Sequence, residues 1–138
     1  MTTAHVWNWT FRGFVNERGE NVAQVWYDCQ LGAVQSEFEI LLSTIRHSPV
    51  TEWSPMGNST YLSGEKKKLL ELKFKAANER YRPIGVFGNV RQTFIILAIA
   101  NKHDFNELRK KSLNRAALVA NNPGVYSNEC DCLSGFTR

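Results

Sequence analysis

The chain has 138 residues, 43% hydrophobic and 22% charged, which matches one soluble globular domain with its own core. Lys and Arg outnumber Asp and Glu by 17 to 13, giving a net charge of +4; this favours an anionic partner such as nucleic acid but equally suits a mildly basic enzyme. The longest apolar run, "FIILAIA", is far too short to cross a membrane, and "MTTAHVWNWT" lacks the basic-then-apolar pattern of a signal peptide.

In "HVWNWTFRGFV" the residues Trp7, Trp9 and Phe11 alternate with Asn8, Thr10 and Arg12, which predicts a strand with one buried side. "NERG" reads as a turn. Val22, Val25, Trp26 and Cys29, then Val34, Phe38, Leu41, Leu42 and Ile45, follow the helical period, so two amphipathic helices are expected with a break at Leu31-Gly32. Pro49 stops the second. Residues 48–64, rich in Pro, Gly, Ser and Thr, form a long connection that Trp53 and Tyr61 are expected to pin to the core.

Three strands follow. "KKLLELKFKA" sets Leu70, Leu72 and Phe74 against Glu71, Lys73 and Lys75. "RYRPIGVFG" continues after a short turn at "ANE", with Pro83 pointing to an edge or bulge. "TFIILAIAN" reads as a central strand buried on both faces. The short turns imply an antiparallel meander. A last helix begins near Asp104, where Glu107 completes a capping-box pattern, and Asn122-Pro123-Gly124 ends it. Phe105, Leu108, Leu113, Ala116, Ala117 and Ala120 make its core stripe, and residues 123–138 lack a period and are expected to be loosely held.

The expectation is a single α+β domain over residues 1–138, ordered β-α-α-β-β-β-α. One curved antiparallel sheet packs its apolar face on helices and leaves the other open. Cys29, Cys130 and Cys132 are too few and too odd for a disulfide framework and suit a reducing cytoplasm; free thiols are favoured over a metal site.

The segment "LLELKFKAANERYRPIGVFG" gathers Lys73, Lys75, Arg80 and Arg82 within ten residues. Like charges this close repel, so a basic strand pair asks for an anionic ligand, although a run of exposed Lys and Arg is more often only a solvated face. Tyr81 and Phe87, on the opposite parity, are expected in the core.

Several stretches together resemble the RelE/ParE toxin superfamily, in particular its phage-derived, HigB-like branch. They are "RGENVAQVWYDC", "SEFEILLSTI", "LSGEKKKLLELK" and "YRPIGVFG", followed by an apolar strand, and they span about residues 7–122. The chain has "NKHDF" where many relatives carry an acidic-Lys-Gly or Lys-Lys stretch, and its tail matches no family pattern. The resemblance implies a RelE-like fold and the toxin role of a type II toxin–antitoxin system. It also implies a metal-independent, cofactor-free endoribonuclease acting on mRNA on the ribosome in the cytoplasm, and a cognate antitoxin that covers the basic face.

Such chemistry needs a base for the 2′-hydroxyl proton, cations for the phosphorane charge and an acid for the leaving 5′ oxygen. A lysine among cations has its pKa lowered, which makes Lys73 or Lys75 a candidate base. Arg82, and with it Arg80, suits a bidentate phosphate clamp. His103 is the candidate acid, ahead of Tyr126. Lys66, Lys67, Lys68 and Lys102 supply attraction for an RNA backbone. Two other readings stay open: a ParE-like gyrase poison without nuclease activity, and an inactive phage-derived binding module.

Overall fold

The structure is a computed structural model, and it describes residues 6–53, 59–61, 69–88 and 91–128. The elements run β1 (Thr10–Phe14), α1 (Val22–Asp28), α2 (Gly32–Arg46), α3 (Val50–Trp53), β2 (Ser59–Tyr61), β3 (Leu70–Leu72), β4 (Phe74–Ala76), β5 (Glu79–Phe87), β6 (Thr93–Asn101), α4 (Phe105–Asn121), α5 (Pro123–Tyr126) and β7 (Ser127–Asn128). The chain is α+β, as its alternating periods predict. α3, β2, α5 and β7 are additions to the expected order, and the predicted first long basic strand is split into β3 and β4.

The α1 helix starts where Asn21 caps it, its Oδ1 accepting from the backbone N–H groups of Ala23 and Gln24. The break at Leu31-Gly32 is where the sequence places it. The α2 stripe Val34, Phe38, Leu41, Leu42 and Ile45 is buried throughout. The α1 stripe is turned slightly: Ala23 is buried while Val25 is 45% exposed. Trp53 is fully buried and donates its indole N–H to the Ile45 and Ser48 carbonyls, so it pins the start of the long connection. The side chain of Tyr61 lies outside the described residues.

The sheet order is β2-β3-β5-β6-β1-β7, with β4 also pairing β5. β1 lies parallel to β6, Thr10 beside Thr93 and Gly13 beside Ile96. The sheet is therefore mixed rather than wholly antiparallel. Short connections force antiparallel pairing between β4 and β5 and between β5 and β6; β1 is joined to the rest through helices, and that crossover permits a parallel neighbour.

Helices also cover both faces, not one. On the first face α1, α2 and α3 pack on Trp9, Phe11, Leu70, Leu72, Phe94 and Ile96. On the second, α4 lays Ala116 and Val119 over Phe14, Leu69, Ile84, Val86, Ile95 and Leu97. The buried runs on β6 require this: Phe94 and Ile96 face one layer, Ile95 and Leu97 the other, and a strand apolar on both sides needs two covers. The β5–β6 register slips after Ile84, which pairs Ala98 while Gly85 pairs Ile96, so Leu97 is the extra residue of a bulge. Arg115 of α4 donates to the Leu97 carbonyl at 2.7 Å and lies over the Phe14 ring.

Two expectations about the C-terminal part change. Asp104 does not form a capping box; its Oδ1 accepts from the Asn101 N–H at 2.8 Å instead, closing the turn after β6. The segment after Pro123 is not all loose: α5 and β7 are regular, and β7 pairs with Gly13 and Phe14 of β1. Arg12 holds it, donating to Ser127 Oγ and to the Ser127 carbonyl. Residues 129–138 lie outside the described part, Cys130 and Cys132 with them; Cys29 is exposed. Among the described residues no helix is long and apolar enough to cross a membrane.

Candidate functional site

The basic segment folds as a hairpin. Ala77 and Asn78 form its two-residue turn with φ of 51° and 63°, the pattern of a turn whose twist matches that of the strands. Lys75 pairs Arg80, Phe74 pairs Tyr81, and further along Glu71 pairs Ile84 and Leu70 pairs Gly85. These pairs keep one register, so β3 and β4 are two stretches of a single interrupted strand. The same register sets Lys73 opposite Arg82 and Leu72 opposite Pro83. Pro83 has no N–H to give a ladder, which accounts for the interruption at this point. It sits inside β5, buried, rather than at a sheet edge.

Parity sorts the side chains. Phe74 and Tyr81 turn toward the first face, where their rings stack at 5.1 Å and meet Trp26 edge-on. Tyr81 thus joins the aromatic cluster at its rim, half-buried rather than in the core as expected; burial, with Glu79 adding to it, pushes its phenol up. Phe87 packs on Trp9 and Trp53 in the same layer. Lys73, Lys75, Arg80 and Arg82 take the other parity. That face is covered by α4 over the central strands but opens at the hairpin, where Phe105 is the helix's contribution. The four cations, with Phe74 and Tyr81, line a cavity of about 290 Å³.

The cations are not equivalent. Lys73, Lys75 and Arg80 are exposed. Arg82 is half-buried: its Nε lies 3.2 Å from Glu71 Oε1, and its guanidinium rests 4.8 Å above the Phe105 ring. Glu71 is only 5% exposed, and its Oε1 accepts no hydrogen bond among the described residues. The Arg82 contact is therefore electrostatic attraction without a well-aligned N–H. Burial pushes the Glu71 carboxyl up from the usual range; Arg82 and then Lys73 hold it back.

The structure thus brings together Lys73, Lys75, Arg80 and Arg82 and leaves His103 outside the cavity lining. His103 is exposed in the turn after β6, its backbone N–H bonded to Asn101 Oδ1 at 2.8 Å. Lys102, beside it, is exposed as well. Tyr126 stacks on Phe14 beneath α4, far along the sheet from the hairpin. Lys66, Lys67 and Lys68 lie outside the described residues. Glu71 lies on the face of Lys73 and Lys75, as the alternation along the strand predicts, but its contact with Arg82 is not readable from that alternation. Phe105 as a neighbour of the basic set depends on where α4 docks and has no signal in the sequence.

In comparisons with protein-family models, curated proteins and solved structures, the chain matches no family model, no curated protein and no solved structure.

Proposed function

We propose that the chain is a metal-independent endoribonuclease of RelE-like kind, the toxin partner in a type II toxin–antitoxin pair, with the hairpin cavity as its phosphodiester site. One observation carries the reading: four cations from two strands, three of them exposed, converge on a single open cavity instead of splaying apart. Holding like charges together on a sheet costs energy that an anionic backbone would offset. In this reading the substrate's 2′ oxygen attacks the adjacent phosphorus as it gives up its proton. The P–O bond to the 5′ oxygen breaks, that oxygen takes a proton, and a cyclic phosphate is left. Arg82 and Lys73 stabilise the two negative charges of the phosphorane; Lys75 and Arg80 hold the strand.

The test is expression of the chain alone in bacteria, with growth measured and cellular RNA ends mapped. Arrested growth and new RNA ends are expected from the native chain. The Lys73→Ala/Arg82→Ala variant is expected to be folded and harmless; a folded variant of equal toxicity overturns the assignment. A second reading, an RNA-binding module that does not cleave, draws on the cavity lining. Among the described residues that lining contains no histidine or exposed carboxyl to protonate the leaving oxygen. Arrested growth without new RNA ends would favour that reading.

A further inference from the structure

Two cation pairs stand side by side on one face of the hairpin. Lys75 faces Arg80, and the shared register sets Lys73 opposite Arg82. The Phe74–Tyr81 pair between them sends its rings to the opposite face, so the floor between the two cation pairs is backbone. Residues two apart on a strand are about 6.7 Å apart, close to the step between consecutive phosphates of an extended single strand. Cross-strand partners are about 5 Å apart at Cβ, near enough for both members of a pair to reach one phosphate.

The pairs differ in their surroundings. Glu71 touches Arg82 and is close enough to Lys73 to feel its charge. Among the described residues Lys75 and Arg80 have no such carboxylate in an ion pair with them: Glu79, next to Arg80, has the other parity and pairs Ala76.

We propose that the cavity seats two successive phosphates of one single-stranded polynucleotide. Lys75 and Arg80 hold a phosphate that does not react, and Lys73 and Arg82 hold the phosphate beside the Glu71 carboxyl, where the bond is exchanged. The proposal rests on the phosphodiester reading above and adds to it a register and a direction. It also separates a polynucleotide from free diphosphate, whose two phosphorus atoms share one oxygen and are too close to span both pairs.

The experiment is a binding titration of the native chain with three probes. They are a 2′-deoxy dinucleoside monophosphate, a 2′-deoxy trinucleoside diphosphate and inorganic pyrophosphate. The two-phosphate oligonucleotide is expected to bind at least about fivefold more tightly than the one-phosphate probe, with its log affinity falling more steeply in log salt by about 0.7. Pyrophosphate is expected to behave like the one-phosphate probe. In Lys75→Ala/Arg80→Ala, which alters only exposed side chains, the advantage of the second phosphate is expected to vanish while one-phosphate binding persists. An advantage that survives in that variant, no advantage in the native chain, or pyrophosphate binding as tightly as the trinucleotide would each overturn the two-phosphate register. Loss of the register leaves the phosphodiester reading standing where longer single strands still bind and Lys73→Ala/Arg82→Ala abolishes that binding. Failure of the native chain to bind any of these, long strands included, overturns both.

Discussion

Glu71 sits where a carboxylate is poorly solvated and its contact with Arg82 is imperfectly aligned. Its folded pKa is raised, so over the interval between its unfolded and folded values the native state holds more protons than the unfolded chain. Stability therefore falls as pH rises through that interval, and the cost is complete above the folded value. Glu71→Gln removes the titration. Denaturant unfolding across pH should show the native chain losing ground to the glutamine variant as pH rises, with the gap closing at acid pH. Arg82→Ala tests the compensating charge: without its largest opposing influence the Glu71 carboxyl is expected to titrate higher still, which carbon-detected NMR of a side-chain-labelled sample would follow. The same contact explains why Arg82 is not a free clamp. It is oriented by Glu71 and Phe105, so its loss disturbs both the cavity and the packing at the start of α4, whereas loss of Lys75 or Arg80 disturbs only the cavity.

At the scale of elements, the β5–β6 bulge concentrates constraint on Gly85. A Cβ there would run into the Phe94 ring and the Ile95 carbonyl, and backbone in a central strand cannot step aside. Gly85→Ala is expected to destabilise the fold by about 1–3 kcal/mol, read as a lower denaturation midpoint with an unchanged slope. The hairpin beside it was largely legible from sequence, since period-two alternation sorted Leu70, Leu72 and Phe74 from Glu71, Lys73 and Lys75, and "ANE" marked the turn. The bulge was not: nothing in "TFIILAIA" distinguishes Leu97 from its neighbours, because both faces of that strand are apolar. Helix positions followed the same rule. The α2 stripe was exact in content, with five of five named residues buried. In α4 the repeated alanines blurred the stripe, and Ser112 and Val119 turned out to be buried. The chemistry of His103 carries no information about where its backbone turn points, and the turn after β6 leaves it outside the cavity lining.

For the whole molecule, β6 is the wall between two hydrophobic layers. Ile96 belongs to the α1–α2 side and Leu97 to the α4 side. Truncating either to Ala should cost about 2–5 kcal/mol. Because both layers hang on one strand, each variant is expected to melt in a single transition by tryptophan fluorescence, which reports the first layer, and by far-ultraviolet circular dichroism, which reports all elements. Separated transitions would mean the layers fold apart. The second layer was implied by the sequence, since a strand buried on both sides cannot be covered from one. The direction of β1 was not, because period-two patterning says which side of a strand is buried and nothing about the direction of its neighbour.

That parallel pairing of Thr10 with Thr93 has a consequence for biosynthesis. The tryptophan-bearing β1 segment is translated well before its lateral partner, since Thr10 pairs with Thr93. Until β6 is made, Trp7, Trp9 and Phe11 have no sheet to join, and a contact of such long range closes slowly. The nascent polypeptide therefore carries this aromatic segment unpaired until β6 is made, which makes it, rather than the basic hairpin, the place where chaperone capture or premature aggregation would begin.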